Sequence, residues 1–192
     1  MFDLLKANLR SKINLSDEQF EQITPKLKLK FLKKKKDLIM EGQVCQQVAF
    51  VNKGALRSYS VDNKGQQHVI QLAVEDYWIA DLYSFLTQTP SQLSIEAIED
   101  CELLMLRYDD LQTLYDKIPP LERYFRKLAE RAYIATQQRL NVTLSTSAED
   151  RYKELIEKHP SIVQRIPLVH IASYLGITPE SLSRVRKQLY KS

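Results

Sequence analysis

The chain has 192 residues, 44% of them hydrophobic and 27% charged, with a formal net charge of +4. That length admits one large domain or two small ones, and the composition supports a packed core, which excludes a disordered tail protein. No run approaches the ~18 apolar residues of a membrane helix, and residues 1–16 mix charges with apolar side chains where a secretory leader has an unbroken hydrophobic stretch. A cytoplasmic protein without membrane contact is therefore expected.

At the start, Leu5, Leu9 and Ile13 recur at four-residue spacing, and Ser16 is placed to cap a second short helix through Phe20 and Ile23 that Pro25 ends. From Lys28 to about Arg107 the period changes to short runs of Val, Ile, Leu and Tyr, broken by turn residues roughly every 8 to 12 positions. Residues 29–32 and 37–40 are strand-like. The four lysines 33–36 between them admit a nucleic-acid or targeting reading, but their place between two strands favours a solvated turn. Residues 49–53 and 54–61 predict two strands; Asp62-Asn63-Lys64-Gly65 is a hairpin signal, with 66–73 as the returning strand. Residues 92–98 and 101–107 predict another pair with Glu99-Asp100 at its turn. About eight short strands of this kind imply a barrel or jelly roll.

After Asp109 the helical period returns, and Pro119-Pro120 separates a short helix from a long one. Along the long helix Leu121, Phe125, Leu128, Ala132, Ala135, Arg139 and Val142 follow alternating steps of four and three, the seam of a coiled coil. The stripe predicts dimerisation through residues 121–142, with packing on the β domain as the competing reading and Arg139 as the residue that fits a seam least well.

Residues 166–189 carry the most specific pattern. Leu168, Ile171 and Leu175 form the apolar face of a short helix, with Ala172 small enough for a second helix to cross it. Gly176 can adopt the left-handed conformation that ends a helix. Thr178 is a good N-cap, Pro179 suits the first helical position, and Ile177 can staple onto Leu182. On the second helix Leu182, Val185 and Leu189 share one side, while Glu180, Arg184, Lys187 and Lys191 lie opposite, flanked by Ser183 and Gln188. This is the division that a DNA recognition helix needs, an apolar back and a polar front; a plain αα-hairpin with a solvated basic face is the bland alternative. Arg184 suits guanine O6 and N7, Glu180 a cytosine amino group, and Ser181, Arg186 and Lys187 suit phosphates. The DNA-contacting set predicted is Thr178, Glu180, Ser181, Ser183, Arg184, Lys187 and Gln188.

Charge distribution agrees. From residue 151 onward eight Lys and Arg stand against three Glu, a net of +5, whereas residues 1–150 carry twenty against twenty-one, a net of −1. Cys45 and Cys101 form no C-x-x-C pair and sit in apolar surroundings, and His68, His159 and His170 have no carboxylate or Cys at ligand spacing, so no metal is expected. Four glycines, no phosphate-cradling loop, no G-x-S-x-G and no Cys–His constellation leave little material for an enzyme.

The block Ile171-Ala-Ser-Tyr-Leu-Gly-Ile-Thr-Pro-Glu-Ser-Leu-Ser-Arg184, preceded by a β-rich region and a long helix, resembles the cyclic-AMP receptor and fumarate-nitrate regulator (Crp/Fnr) superfamily over nearly the whole chain. The resemblance implies an α+β fold: a cyclic-nucleotide-binding-like β-roll over 1–118, a dimerisation helix over 119–147 and a winged-helix-like helix-turn-helix domain over 148–192. It places Glu180 and Arg184 at base-reading positions. Pro179 stands where many members carry another base-contacting Arg, which puts the operator preference in doubt.

Members that bind cyclic AMP engage the ribose with a Gly-Glu pair and the phosphate with an Arg further along; here Ala80-Asp81 and Ser91 stand in those places. No Lys or Arg occurs between Trp78 and Leu106, and a phosphate buried without a cation is costly, so cyclic AMP is expected not to bind. Trp78, Asp81, Tyr83, Ser84, Phe85, Ser91 and Gln92 either line a pocket for a neutral or cationic effector or fill the β-roll core. The expected partners are duplex DNA, a second copy of the chain, RNA polymerase and an unidentified small-molecule effector, with no cofactor. A competing function is a small-molecule or cyclic-nucleotide sensor that acts through a protein partner instead of DNA.

Overall fold

The computed structural model describes residues 1–189, apart from the side chains of Thr143 and Leu144. Helix α1 (Asp3–Arg10) buries Leu5 and Leu9. Helix α2 (Asp17–Ile23) begins with a reciprocal cap in which Ser16 Oγ accepts from the Gln19 N–H and the Gln19 side chain accepts from the Ser16 N–H, both at 3.1 Å. A 3₁₀ turn (Thr24–Lys26) containing Pro25 then leads into the sheets.

Among the described residues eight strands follow: β1 (Leu27–Leu32), β2 (Asp37–Ile39), β3 (Gln47–Lys53), β4 (Leu56–Val61), β5 (Gln67–Ala73), β6 (Trp78–Ile79), β7 (Ser94–Ala97) and β8 (Cys101–Arg107), with helix α3 (Leu82–Thr87) between β6 and β7. They form two antiparallel sheets in the orders β1-β8-β3-β6 and β2-β7-β4-β5. Phe50, Leu103 and Leu104 from one sheet and Leu56 and Ile95 from the other meet in one buried cluster, the jelly-roll arrangement expected of these strands. The β4–β5 hairpin turns at Gly65 (φ +78°), where Asp62 Oδ1 accepts from the N–H groups of Lys64 and Gln66. The expected pairing of 92–98 with 101–107 is not formed. Strand β7 is held between β2 and β4, and β8 between β1 and β3, because the short link between them crosses from one sheet to the other.

The helical part comprises α4 (Tyr108–Lys117), α5 (Pro119–Ser145), α6 (Ala148–Lys158), α7 (Pro160–Arg165), α8 (Leu168–Tyr174) and α9 (Pro179–Leu189). Among the described residues no strand follows Arg107, so the wing implied by the resemblance is not formed there. The first turns of α5 bury Leu121 and Tyr124 in the β-roll core, with Phe125 and Leu128 packed against it. Arg139 also turns to its own chain, donating to the Ile70 carbonyl at 2.6 Å and stacking over the Tyr174 ring. Much of the predicted seam is thus used within the chain. Among the described side chains, the large apolar ones that α5 leaves exposed are Tyr133, Ile134 and Leu140, displaced around the helix from that seam.

Candidate nucleic-acid interface

Helix α8 packs through Ile171, Ala172 and Leu175, all buried, whereas Leu168, expected on that face, points outward with Val169 from its first turn. Its end is a Schellman motif: Ile177 N–H donates to the Ala172 carbonyl at 3.0 Å, Gly176 N–H donates to Ser173 at 3.1 Å, and Gly176 sits at φ +68°. Thr178 Oγ1 then accepts from the Ser181 N–H at 3.2 Å, capping α9. Tight turn and cap together fix the angle between the helices.

Leu182 and Val185 bury the back of α9, with Leu189 and Ile177 packed against the same cluster. Thr178, Glu180, Ser183, Arg184, Lys187 and Gln188 are exposed in front. Ser181 is half-buried, and its hydroxyl accepts from Arg184 Nη2 at 3.2 Å, which aims the guanidinium along the helix front. The first-turn backbone N–H, then the Thr178 hydroxyl and Arg184, hold the Glu180 carboxyl below the usual carboxylate range, so it is an ionised acceptor. Arg186 is half-buried, unlike the solvent-facing phosphate contact expected of it, and Lys191 lies outside the described residues.

The +5 of the C-terminal region is not all available to a ligand. Arg165 on α7 is clamped by two β-roll carboxylates, with Nη2 at 3.0 Å from Glu75 and 2.6 Å from Glu99. Burial acts to raise the Glu75 pKa, but Arg165 and the Gly54 N–H outweigh it and hold the carboxyl low. Further contacts join the parts. Arg57 of β4 is buried, pairs with Glu96 and donates to His170 Nδ1 at 3.1 Å; because a guanidinium has no acceptor, that imidazole is neutral with its proton on Nε2. The Tyr77 hydroxyl meets His159 Nδ1 at 2.9 Å. Val69 and Leu72 of β5 share a buried cluster with Ile162, Ile171 and Leu182.

The residues considered for an effector are dispersed. Trp78 donates from Nε1 to the Tyr124 hydroxyl at 2.8 Å and packs edge-on against Phe50 and Phe125. Phe85 is buried against Tyr108, Ser84 is buried and donates to the Thr89 carbonyl, and Tyr83 and Gln92 are exposed. Asp81 caps α3 with Oδ1 and receives the Ser91 hydroxyl on Oδ2 at 2.6 Å, both residues buried. The two positions that the resemblance aligns with ribose and phosphate contacts are therefore bonded to each other. Sequence reasoning missed Tyr124, whose hydroxyl also donates to Asn8; the steps of four and three along α5 masked it.

Residues 29–117 match the family described as the cyclic nucleotide-binding domain. The transcriptional activator protein FnrA of Stutzerimonas stutzeri is 25% identical, with 80% of this chain and 67% of that protein covered. The transcriptional regulatory protein btr of Bordetella pertussis is 23% identical over 69% of this chain and 58% of its own length. This chain thus spans roughly three fifths to two thirds of the curated relatives it matches. In fold it is similar to the solved structure of FixK2 from Bradyrhizobium japonicum, with a TM-score of 0.76 at 18% identity, covering 86% of this chain and 85% of that one. Residues 29–117 thus match a cyclic nucleotide-binding domain, and the chain as a whole, with its long helix and capped helix-turn-helix, is similar in sequence to proteins named as transcription regulators and in fold to FixK2.

Proposed function

We propose that the chain is a sequence-specific, dimeric DNA-binding transcription regulator whose readers are Arg184 and Glu180, with Thr178, Ser181, Ser183, Lys187 and Gln188 supporting contacts. The observation that carries this reading is α9 itself, whose buried back is locked by the Gly176 turn and the Thr178 cap while its polar front is exposed. On this reading 1–118 forms the sensor-like unit, 119–147 the dimerisation helix and 148–192 the reader. The exposed Tyr133 and Leu140, one heptad apart on α5, are the surface proposed to meet a second copy. Cyclic AMP is proposed not to be the effector, because Asp81 and Ser91 satisfy each other and supply no cation. The test is a gel shift with genomic fragments using the wild type and Arg184→Ala; failure of the wild type to retard any fragment would sink the reading.

A further inference from the structure

We infer that the cleft between the end of α1 and the first half of α5 is a binding site for a phosphoryl anion, held by Lys12, Lys127 and Arg131. It shares no residue with the α9 front or with the effector pocket considered in the β-roll, and it does not depend on the DNA-binding reading. The cleft encloses about 160 Å³ and is lined by Ser11, Lys12, Tyr124, Lys127, Leu128 and Arg131. Three of these six are cations and none is acidic. Among the described residues none of the three cations has an ion-pair partner. The floor is apolar, with Tyr124 buried and Leu128 packed against the β-roll core.

Ordinary surface charge does not account for this arrangement. On the same helix Arg126 has Glu130 four residues on, paired at 2.6 Å, the usual way an exposed helix balances a cation. One position along, Lys127 has Arg131 at that spacing and Arg123 four residues before it. Like charges so spaced cost helix stability. The end of α1 brings Lys12 to the same cleft, where burial is the largest influence on its ammonium and lowers its pKa; Asp76 opposes, and Arg131 adds to the lowering. Asp76 does not close the gap, because its Oδ1 accepts from Asn8 Nδ2 at 2.7 Å. The Tyr124 ring faces Lys12 Nζ at 5.6 Å and offsets only part of the repulsion.

The walls are fixed in advance. Asn8 is buried, and its Oδ1 accepts from the Tyr124 hydroxyl at 2.5 Å while that hydroxyl accepts from Trp78 Nε1 at 2.8 Å. Ser11 Oγ donates to the Asn8 carbonyl at 2.7 Å. These bonds hold α1 against α5 beneath the cleft, so the cations converge without the ordering cost of a closing motion. Size and charge then select the ligand. The volume is well below the roughly 300–1,000 Å³ of sites for drug-sized molecules and suits one small anionic group. A phosphoryl group carries about two negative charges at neutral pH and accepts a bidentate guanidinium, which matches three cations better than a single carboxylate does.

The test is calorimetric titration of the full chain with inorganic pyrophosphate in the absence of DNA. The wild type should show one saturable site with a Kd below about 1 mM at low salt, weakening as the ionic strength rises through about 0.15 M. Lys127→Gln with Arg131→Gln should weaken binding by about tenfold or more, yet without anion should melt at the wild-type temperature or above, because a repulsive pair is gone. Arg126→Gln, beside the cleft, should bind as the wild type does. Equal heats for the wild type and the double variant, many weak sites, or citrate binding more tightly than pyrophosphate would overturn the proposal. So would a DNA duplex that displaces pyrophosphate, which would assign the cations to nucleic acid. A nucleoside 5′-diphosphate that binds at least as tightly attaches the phosphoryl group to a larger molecule, and one that binds more weakly points to the free anion. If the double variant does not fold, acetylation of the wild type with acetic anhydride replaces it: pyrophosphate should protect Lys12 and Lys127 selectively, and protection of all lysines alike, or of none, rejects the site.

Discussion

Arg184 and Lys187 stand on the same helix front and differ in what they can tell a duplex. A guanidinium reaching guanine O6 and N7 reads a base, so Arg184→Ala should cost about 1–3 kcal/mol of binding and relax one position of the preferred site. Lys187→Ala should weaken all sequences alike and lower the salt slope by about 1. Anisotropy titrations over a set of single-base variants separate the two, and an Arg184→Ala protein with an unchanged preference profile removes Arg184 as a reader. In the β-roll, Ser91→Ala leaves one buried oxygen of Asp81 without its donor and should lower stability by about 1–3 kcal/mol. Cyclic AMP added to the wild type should leave the melting temperature unmoved, because a ligand that does not bind the native state adds no stabilisation. The missing cation was legible in the sequence as an absence of Lys and Arg from Trp78 to Leu106. The Asp81–Ser91 bond was not, since composition places two polar residues near a loop without saying that they face each other.

Elements whose signals are local were read correctly. Gly176 with Thr178, Ser16 as a cap, and the Asp62–Gly65 hairpin each depend on neighbours a few residues away, and the structure forms all three. Gly176→Ala should destabilise the protein by about 1–2 kcal/mol through its left-handed backbone, and should weaken DNA binding further by changing the angle of α9. Long-range choices were less legible. The link from β7 to β8 looks like a hairpin turn in sequence but crosses between sheets, and the α5 stripe spends Leu121 and Arg139 on its own chain. The free side of α5 therefore had to be found by exposure, with Tyr133 66% and Leu140 55% accessible. If that side pairs two chains, Tyr133→Glu with Leu140→Glu should sediment as a monomer with an intact thermal transition, whereas a persisting dimer would place the interface elsewhere.

Across the whole molecule, two histidines sit where the helical part meets the β-roll. Burial first and Arg57 second lower the pKa of His170, with Glu96 opposing; burial and then Lys158 lower that of His159. Both native values lie below the ordinary 6.5, so the unfolded chain takes up protons that the native state resists. Stability from this source is complete above about pH 6.5 and falls as the pH drops through that value toward the native ones. Melting temperatures from about pH 7.5 to about 5.5 should decline, and a variant with His159→Gln and His170→Gln should decline less steeply. An identical slope in that variant would assign the loss to other groups.

The apolar cluster that joins Val69 and Leu72 of the sheet to Ile171 and Leu182 of the reader has a thermodynamic meaning. Neither part closes its own hydrophobic surface, so neither is a complete cooperative unit, and undocking one exposes the other's core to water. Calorimetry should accordingly record one transition with equal van't Hoff and calorimetric enthalpies, where two independent domains would give two. Cutting the chain between α5 and α6 should yield fragments that elute together and melt together. What is joined in sequence only by way of α4 and the long helix α5 is continuous in free energy through a packed surface, so a substitution at Leu72, in the β-roll, should loosen the helix-turn-helix as surely as one at Ile171 within it.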